Sequence, residues 1–288
     1  MARVLITGTS TGIGFATALA FARAGHEVHA TMRNPGRAPE LGRAAASEML
    51  PLAIAAMDVD SDESVASCIN HVVRKAGTID VLVNNAGIER SGSVEELPLA
   101  DFRAVMETNY FGALRCIQAV LPAMRTRRSG CIINITSVAG RIACSPLAPY
   151  TASKFALEAL SESLAQEMKP FNVRVAMVQP GIIDTPMARR IETPQGPSPY
   201  PQQRRFAAMF TASLKSPAPP SVVAAKVVEI AESGTWRLRY PVGPDAEGFL
   251  GWRAAMGDEE WVDWGALDDD DWYDRLKADF GMEARPQG

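Results

Sequence analysis

The sequence predicts an α/β fold, a doubly wound and mostly parallel sheet of Rossmann type with helices on both faces. Three observations predict it. From Arg3 to about Val178, short runs rich in Val and Ile alternate with longer helical patterns, as βα units do when they feed a parallel sheet. Most runs are near-continuously apolar, as expected for strands covered on both sides. A glycine-rich turn, Thr7-Gly8-Thr9-Ser10-Thr11-Gly12-Ile13-Gly14, closes the first run and opens the first helical pattern.

Taken in order, strands are expected at 3–7, 27–32, 52–57, 79–84, 131–136 and 174–178. Helices are expected at 13–24, 62–75, 101–127 and 150–168, with Ser61 as an N-cap and Asp62 and Glu63 in the first turn that follows. Right-handed crossovers between such strands wind the sheet in both directions. After Pro180 the texture changes. Residues 194–201 read Pro-Gln-Gly-Pro-Ser-Pro-Tyr-Pro, which cannot continue a helix or occupy a central strand, so a long surface excursion is expected. Helical patterning resumes at 202–214 and 220–232, and 237–242 is a candidate last strand. Beyond it, Asp245 to Asp279 holds twelve acidic residues against three basic ones, together with Trp252, Trp261, Trp264 and Trp272. That mixture suits a partly ordered cap better than a free acidic tail. The texture marks off an acidic, Trp-rich extension over 244–288 from the residues before it.

Composition narrows the function classes. A chain of 288 residues, 47% hydrophobic and 22% charged, can bury the core of one domain or at most two. The net charge of -4 builds no basic field, so nucleic acid is not an expected partner. Cys68, Cys116, Cys131 and Cys144 are scattered, and His26, His29 and His71 are the only histidines, so metal-ligand spacing is absent. The thiols read as small buried hydrophobes in a reducing compartment. The N-terminal apolar run is too short for a signal peptide or a membrane span, and a soluble cytoplasmic protein is expected.

The glycine turn is the first chemical signal. Its glycines stand where a chain must turn tightly, let its backbone approach a ligand and start a helix close to the sheet. A phosphate there would meet free N–H groups and the positive end of the helix dipole. Tyr150 and Lys154 are the second signal. Four residues apart on a helix they share a face, and an ammonium near a phenol favours the phenolate, which would bring a tyrosine of ordinary pKa about 10 nearer neutral pH. Ser137 follows the expected fifth strand, at the sheet edge where open α/β sheets bind ligands.

With its T-G-x-x-x-G-x-G spacing, the turn resembles that of the short-chain dehydrogenase/reductase family, in its compact single-domain branch. Further motifs carry the resemblance in order along the chain: Asn84-Asn85-Ala86-Gly87, Asn109, Ser137, Tyr150-Thr-Ala-Ser-Lys154 and Pro180-Gly181-Ile-Ile-Asp-Thr185. The resemblance implies that Tyr150 is the general acid for carbonyl reduction and the base for alcohol oxidation, while Ser137 bonds the substrate oxygen. It further implies that Lys154 holds the nicotinamide ribose and lowers the tyrosine's pKa, and that Asn109 holds a water in the proton relay. The turn residues Gly8, Thr9, Ser10, Thr11, Gly12, Ile13 and Gly14 would carry the dinucleotide. Asp58 and Val59 would meet the adenine, and Asn85, Ala86 and Gly87 would line the cofactor path. Pro180, Gly181, Ile183 and Thr185 would close on the nicotinamide.

Cofactor choice is read at the end of the second strand. A carboxylate there would bind both ribose hydroxyls, but Met32 occupies the place and Arg33 follows, which favours NADP(H) over NAD(H). Use of NAD(H) stays open, because Thr9, Ser10 and Thr11 bring no basic residue into the turn. The substrate walls are expected from 89–93, 141–147 and 182–210, and Ile142, Leu147, Ile182, Met187, Phe206, Met209 and Phe210 suit a hydrophobic ketone or secondary alcohol. Arg141, a charge beside Ser137, is expected to point to solvent, the alternative being that it greets a carboxylate- or phosphate-bearing substrate. A sensor or scaffold that only binds NADP(H) would predict a broken Ser–Tyr–Lys set, and all three residues are present. Enoyl reduction or epimerisation on the same fold is the other alternative. The resemblance implies a dinucleotide-binding and catalytic domain over 1–243 with a substrate lid at about 182–215, followed by the extension over 244–288. By analogy with the family, the helices at 101–127 and 150–168 pair subunits into a homodimer or homotetramer.

Overall fold

The structure is a computed structural model in which residues 1–191 and 196–286 are described. Its frame is a sheet of seven parallel strands in the order β3-β2-β1-β4-β5-β6-β7. They are β1 (Arg3–Thr7), β2 (Glu27–Met32), β3 (Leu52–Ala56), β4 (Val81–Asn84), β5 (Gly130–Ile135), β6 (Val173–Pro180) and β7 (Arg239–Val242). The order reverses between β1 and β4, and there the strands' C-terminal ends part to leave a crevice.

Side chains along each strand alternate between two cores. Val4, Ile6, Val28, Val83 and Ile133 face one side, where α1 (Gly12–Arg23) and α9 (Pro220–Ser233) cover them with Phe21, Val223, Val227 and Ile230. Leu5, Leu82, Ile132 and Val175 face the other. There α3 (Asp62–Ala76), α5 (Gly112–Arg127) and α6 (Ala148–Met168) supply Ile69, Val72, Ile117, Val120 and Leu164. Cys68, Cys116 and Cys131 are free and buried among these residues. Ser61 caps α3 as its position predicts, its Oγ accepting from the Ser64 N–H at 3.2 Å.

Three expectations need correction. A short helix, α2 (Glu40–Ser47), lies where no helix was expected; it buries only Leu41 and Ala45, so its apolar stripe is thin. The helix expected over 101–127 is broken. It comprises α4 (Leu99–Met106), a π-helical turn at Glu107–Phe111, and α5. Tertiary bonds explain the wide turn: Thr108 Oγ1 donates to Asp60 at 3.0 Å, and Asn109 bonds across to the loop after β4. The third correction concerns the acidic tail. It is well-formed helix throughout its middle, as α10 (Ala246–Ala254), α11 (Asp258–Ala266) and α12 (Asp269–Phe280).

These last helices lie against α7 (Pro186–Ile191) and α8 (Gln202–Ser213), which follow β6. Trp252 meets Trp261 and Trp264 edge-on at 5.5 and 5.0 Å, and the latter two stack at 5.4 Å. Trp261 Nε1 donates to the Ala143 carbonyl at 3.0 Å, which ties α11 to the loop that precedes α6. Of the proline-rich stretch, Pro194 and Gln195 fall outside the described residues. Among the described residues no helix is long and apolar enough to cross a membrane, and none of the His, Cys, Asp and Glu side chains cluster to hold a metal.

Candidate active site

The strand ends open onto one cavity of about 690 Å³ that runs from the glycine turn, past Ser137 and Tyr150, to the tryptophans of the last helices. At its first end, Gly8 and Gly12 adopt φ of +69° and +59°, which only glycine takes without strain. The fit is close around them: a Cβ on Gly14 would stand 2.3 Å from both the Gly8 carbonyl oxygen and Asn85 Nδ2. No side chain caps α1, so its first N–H groups keep their donor capacity toward the cavity that Gly12 and Ile13 line.

Asn85 shapes this turn. Its Nδ2 donates to the Thr7 and Gly8 carbonyls, both at 2.9 Å, while Thr7 Oγ1 accepts from the Asn85 and Ala86 N–H groups. Gly8, Ser10, Thr11, Gly12, Ile13, Arg33, Asp58, Val59, Asn85, Ala86, Gly87, Pro180, Gly181, Ile183 and Thr185 all line the cavity. Thr9 and Gly14 do not. Thr9 is fully buried with its hydroxyl on the Thr31 carbonyl at 3.1 Å, so its part is to hold the turn against β2.

Midway along the cavity, Ser137, Tyr150 and Lys154 share one wall. Ser137 follows β5; its Oγ accepts from the Ala139 N–H at 3.0 Å and its hydroxyl donates to the Pro180 carbonyl at 3.5 Å, a long bond that a ligand oxygen can replace. Lys154 is buried; its Nζ lies 5.6 Å from the centre of the Tyr150 ring and donates to the Ile135 carbonyl at 2.8 Å. The titration of the pair differs from the simple expectation. Burial pushes the Tyr150 phenol up to about 12; contact with the Ser137 hydroxyl lowers it in part, and the Glu89 charge adds to the rise. Burial likewise lowers Lys154 to about 8, with Glu158 opposing the fall. Desolvation thus dominates both groups, and the Ser137 hydroxyl, not the ammonium, is what lowers the phenol.

Asn109 is buried away from the cavity lining. Its Oδ1 accepts from the Ile88 N–H at 2.8 Å and its Nδ2 donates to the Ile88 carbonyl and Ser153 Oγ, each at 2.9 Å. The side chain thus fastens the π-helical turn to the loop after β4 and to α6. All seven apolar residues expected on the substrate wall do line the cavity, from Ile142 to Phe210, whereas Arg141 is exposed and does not.

Two carboxylates carry more weight than the sequence suggested. Glu158, one helical turn beyond Lys154, is buried and accepts from Thr136 Oγ1 at 2.7 Å, Gln179 Nε2 at 3.1 Å and Arg239 Nε at 2.8 Å. The signal was available as Tyr150-x-x-x-Lys154-x-x-x-Glu158, which sets all three on one helix face. Glu89 lines the cavity beside Tyr150, and burial raises its pKa although the Ser91 hydroxyl donates to it.

A glycine turn, a buried lysine and a tyrosine–serine pair on the C-terminal edge of a parallel sheet define a short-chain dehydrogenase. The family model described as short chain dehydrogenase matches residues 2–196. The chain belongs to that family, oxidoreductases that bind NAD(P)(H). Retinol dehydrogenase 8 of Bos taurus is 44% identical over 186 residues, covering 63% of this chain and 59% of the relative, so the match spans about three fifths of that protein. The oxidoreductase YusZ of Bacillus subtilis is 34% identical over 248 residues, 83% of this chain and 88% of the relative. Among solved structures, a short-chain dehydrogenase from Streptomyces avermitilis superposes with a TM-score of 0.79 at 30% identity, over 92% of this chain and 96% of the other.

Proposed function

We propose that the chain is an NADP(H)-dependent oxidoreductase that interconverts a hydrophobic ketone and its secondary alcohol, with Tyr150 as the proton donor and acceptor. The observation that carries this reading is the meeting of Ser137, Tyr150 and Lys154 on one wall of the cavity that the glycine turn opens. The residues fit a nicotinamide dinucleotide on their own chemistry. The uncapped start of α1 suits its phosphates, and Asp58, one of whose oxygens already accepts from the Asp60 N–H at 3.1 Å, keeps another for an adenine amine. Arg33 beside Met32 suits a 2'-phosphate, with which a guanidinium makes charge-assisted bonds. Such a cofactor would supply the hydride chemistry, and the protein positions and protonates.

Lys154 spends one of its three N–H donors on the Ile135 carbonyl and keeps two for ribose hydroxyls. Ser137 turns its hydroxyl from the long bond to the Pro180 carbonyl to the substrate oxygen. Tyr150, with its pKa pushed up to about 12, stands protonated at neutral pH, the form that carbonyl reduction needs. In that direction its Oη gives a proton to the oxygen as the carbonyl carbon is reduced; in the reverse direction its phenolate removes that proton. Apolar walls from Ile142, Leu147, Phe206 and Phe210 exclude water from the exchange. Self-association belongs to the same proposal: Phe111 beside α5 and Phe155 on α6 are 43% and 40% exposed on the helices expected to pair.

The test is a fluorescence titration with NADPH and NADH, followed by a carbonyl panel with wild type and Tyr150→Phe. Tighter NADPH binding, and ketone reduction that Tyr150→Phe abolishes, are expected. Turnover that survives in Tyr150→Phe would remove the proton-transfer assignment, and failure of either nucleotide to bind would remove the whole reading.

A further inference from the structure

We infer that the cavity ends in a carboxylate-recognition point centred on Arg205, which makes the substrate class an elongated, apolar oxo or hydroxy acid. This rests on the oxidoreductase reading above and names the substrate of that same site. Arg205, on α8, lines the cavity with its side chain only 4% exposed. Its Nε donates to Asp269 at 2.6 Å, whereas Nη1 is buried and has no partner. Trp264 Nε1, on α11, is likewise a buried donor without a partner in the cavity lining. Trp272 connects the two, lying 5.9 Å below the Arg205 guanidinium and 5.6 Å from the Trp264 ring.

A buried donor left unpaired is destabilising, and native structures keep few of them. Two such donors on residues that line one cavity call for an acceptor that arrives with the ligand. The charge of that acceptor follows from the neighbours. Asp269 is shared between Arg205 and Arg204, so it neutralises neither alone. Asp270 and Asp274 are 83% and 75% exposed and pair with Arg285 instead. A carboxylate adds its own charge to the guanidinium's and can take two parallel N–H bonds, which a neutral carbonyl cannot. Gln202 Oε1, unpartnered beside these donors, suits a water carried in with the carboxylate. Between this point and Tyr150 the walls are Phe206, Met209, Phe210 and Phe249, which require an apolar body. The Arg205 position is not a product of the dinucleotide pocket, since Arg33 and Asp58 stand at the glycine-turn end.

The test uses the full chain and intrinsic tryptophan fluorescence, with straight-chain alkanoates of increasing length titrated against the alcohol and methyl ester of the same length. The alkanoate is expected to bind about tenfold more tightly than the ester at the best length, and Arg205→Met to reduce that preference to near unity. Trp264→Phe, which keeps the ring and removes the N–H, is expected to lose part of the preference, and it stands in should Arg205→Met fail to fold. In turnover, oxo acids should exceed the matching ketones in kcat/KM by a similar factor, mainly through KM. Equal binding of alkanoate and ester by wild type, or a preference that survives in both variants, overturns the inference. Carboxylate selectivity without turnover of any carbonyl compound overturns the oxidoreductase reading and leaves this binding point standing.

Discussion

Replacing Glu158 by Gln isolates the one interaction that keeps Lys154 charged. Burial drives the lysine down from its ordinary 10.5 to about 8, and the Glu158 carboxylate acts against that fall. The two residues are one turn apart on α6, a spacing that sets side chains about 6 Å from each other. At an effective dielectric of 20, unit charges at about 6 Å attract by roughly 3 kcal/mol, which bounds the effect at about two pH units. Glu158→Gln should therefore lower the Lys154 pKa by one to two pH units, so that much of the lysine is neutral at pH 7. The amide can still accept from Thr136 and Gln179, and Arg239 keeps Glu162, so the fold should survive at a cost of about 1–3 kcal/mol. Competitive acetylation at trace reagent, followed on the Lys154 peptide across pH, reads the lysine directly. The alkaline limb of kcat/KM for carbonyl reduction should move to lower pH with it. An unchanged or raised lysine pKa in the variant would refute the electrostatic account of this carboxylate.

Other outcomes follow from the same geometry. Between about 8 and 10.5 the unfolded chain binds a proton that folded Lys154 lacks, so this residue makes stability rise with pH over that window. Lys154→Met removes that rise, and the unfolding free energy from urea titration of wild type relative to the variant should climb by about 1.4 kcal/mol per pH unit; the buried thiols, which act in the opposite sense, are common to both proteins. Arg33→Ala should weaken NADPH binding by about ten- to a hundredfold and leave NADH nearly unchanged, as titration of both nucleotides would show. Glu89→Gln removes a charge that raises the Tyr150 pKa, so alcohol oxidation, which needs the phenolate, should begin at lower pH in the variant than in wild type. If self-association is as proposed, wild type should run as a dimer or tetramer by light scattering, and the double substitution Phe111→Glu and Phe155→Glu, at exposed positions, should yield a monomer.

The sheet was legible because its strands are buried on both faces, and a two-sided apolar run has few other readings. The glycine turn and Tyr150–Lys154 were legible because their function fixes residue type and spacing together. Asn109 shows the limit. The pattern over 101–127 keeps helical period on both sides of it, while the π-helical turn is set by bonds to Ile88, Asp60 and Ser153, partners remote in sequence. Arg205 was illegible for a similar reason. Within Gln202-Gln203-Arg204-Arg205 nothing distinguishes the exposed arginine from the buried one until α12 brings Asp269 against them. The tail's composition signalled packing through its tryptophans, yet its acidic residues concealed three helices, since Asp268 to Asp271 read as a charge run and act as the cap and first turn of α12.

The tryptophan-bearing helices that roof the cavity are drawn from one continuous stretch of chain that begins after β7 and lies beyond the residues matched by the family model. A graft exchanging everything after Gly243 would replace Trp252, Trp261, Trp264 and Trp272 and keep the wall of Ser137, Tyr150 and Lys154 together with Arg205, Phe206 and Phe210 of α8. It would also take away Asp245, whose carboxylate accepts from the Ile182 N–H at 2.8 Å, so a working graft has to carry that aspartate across.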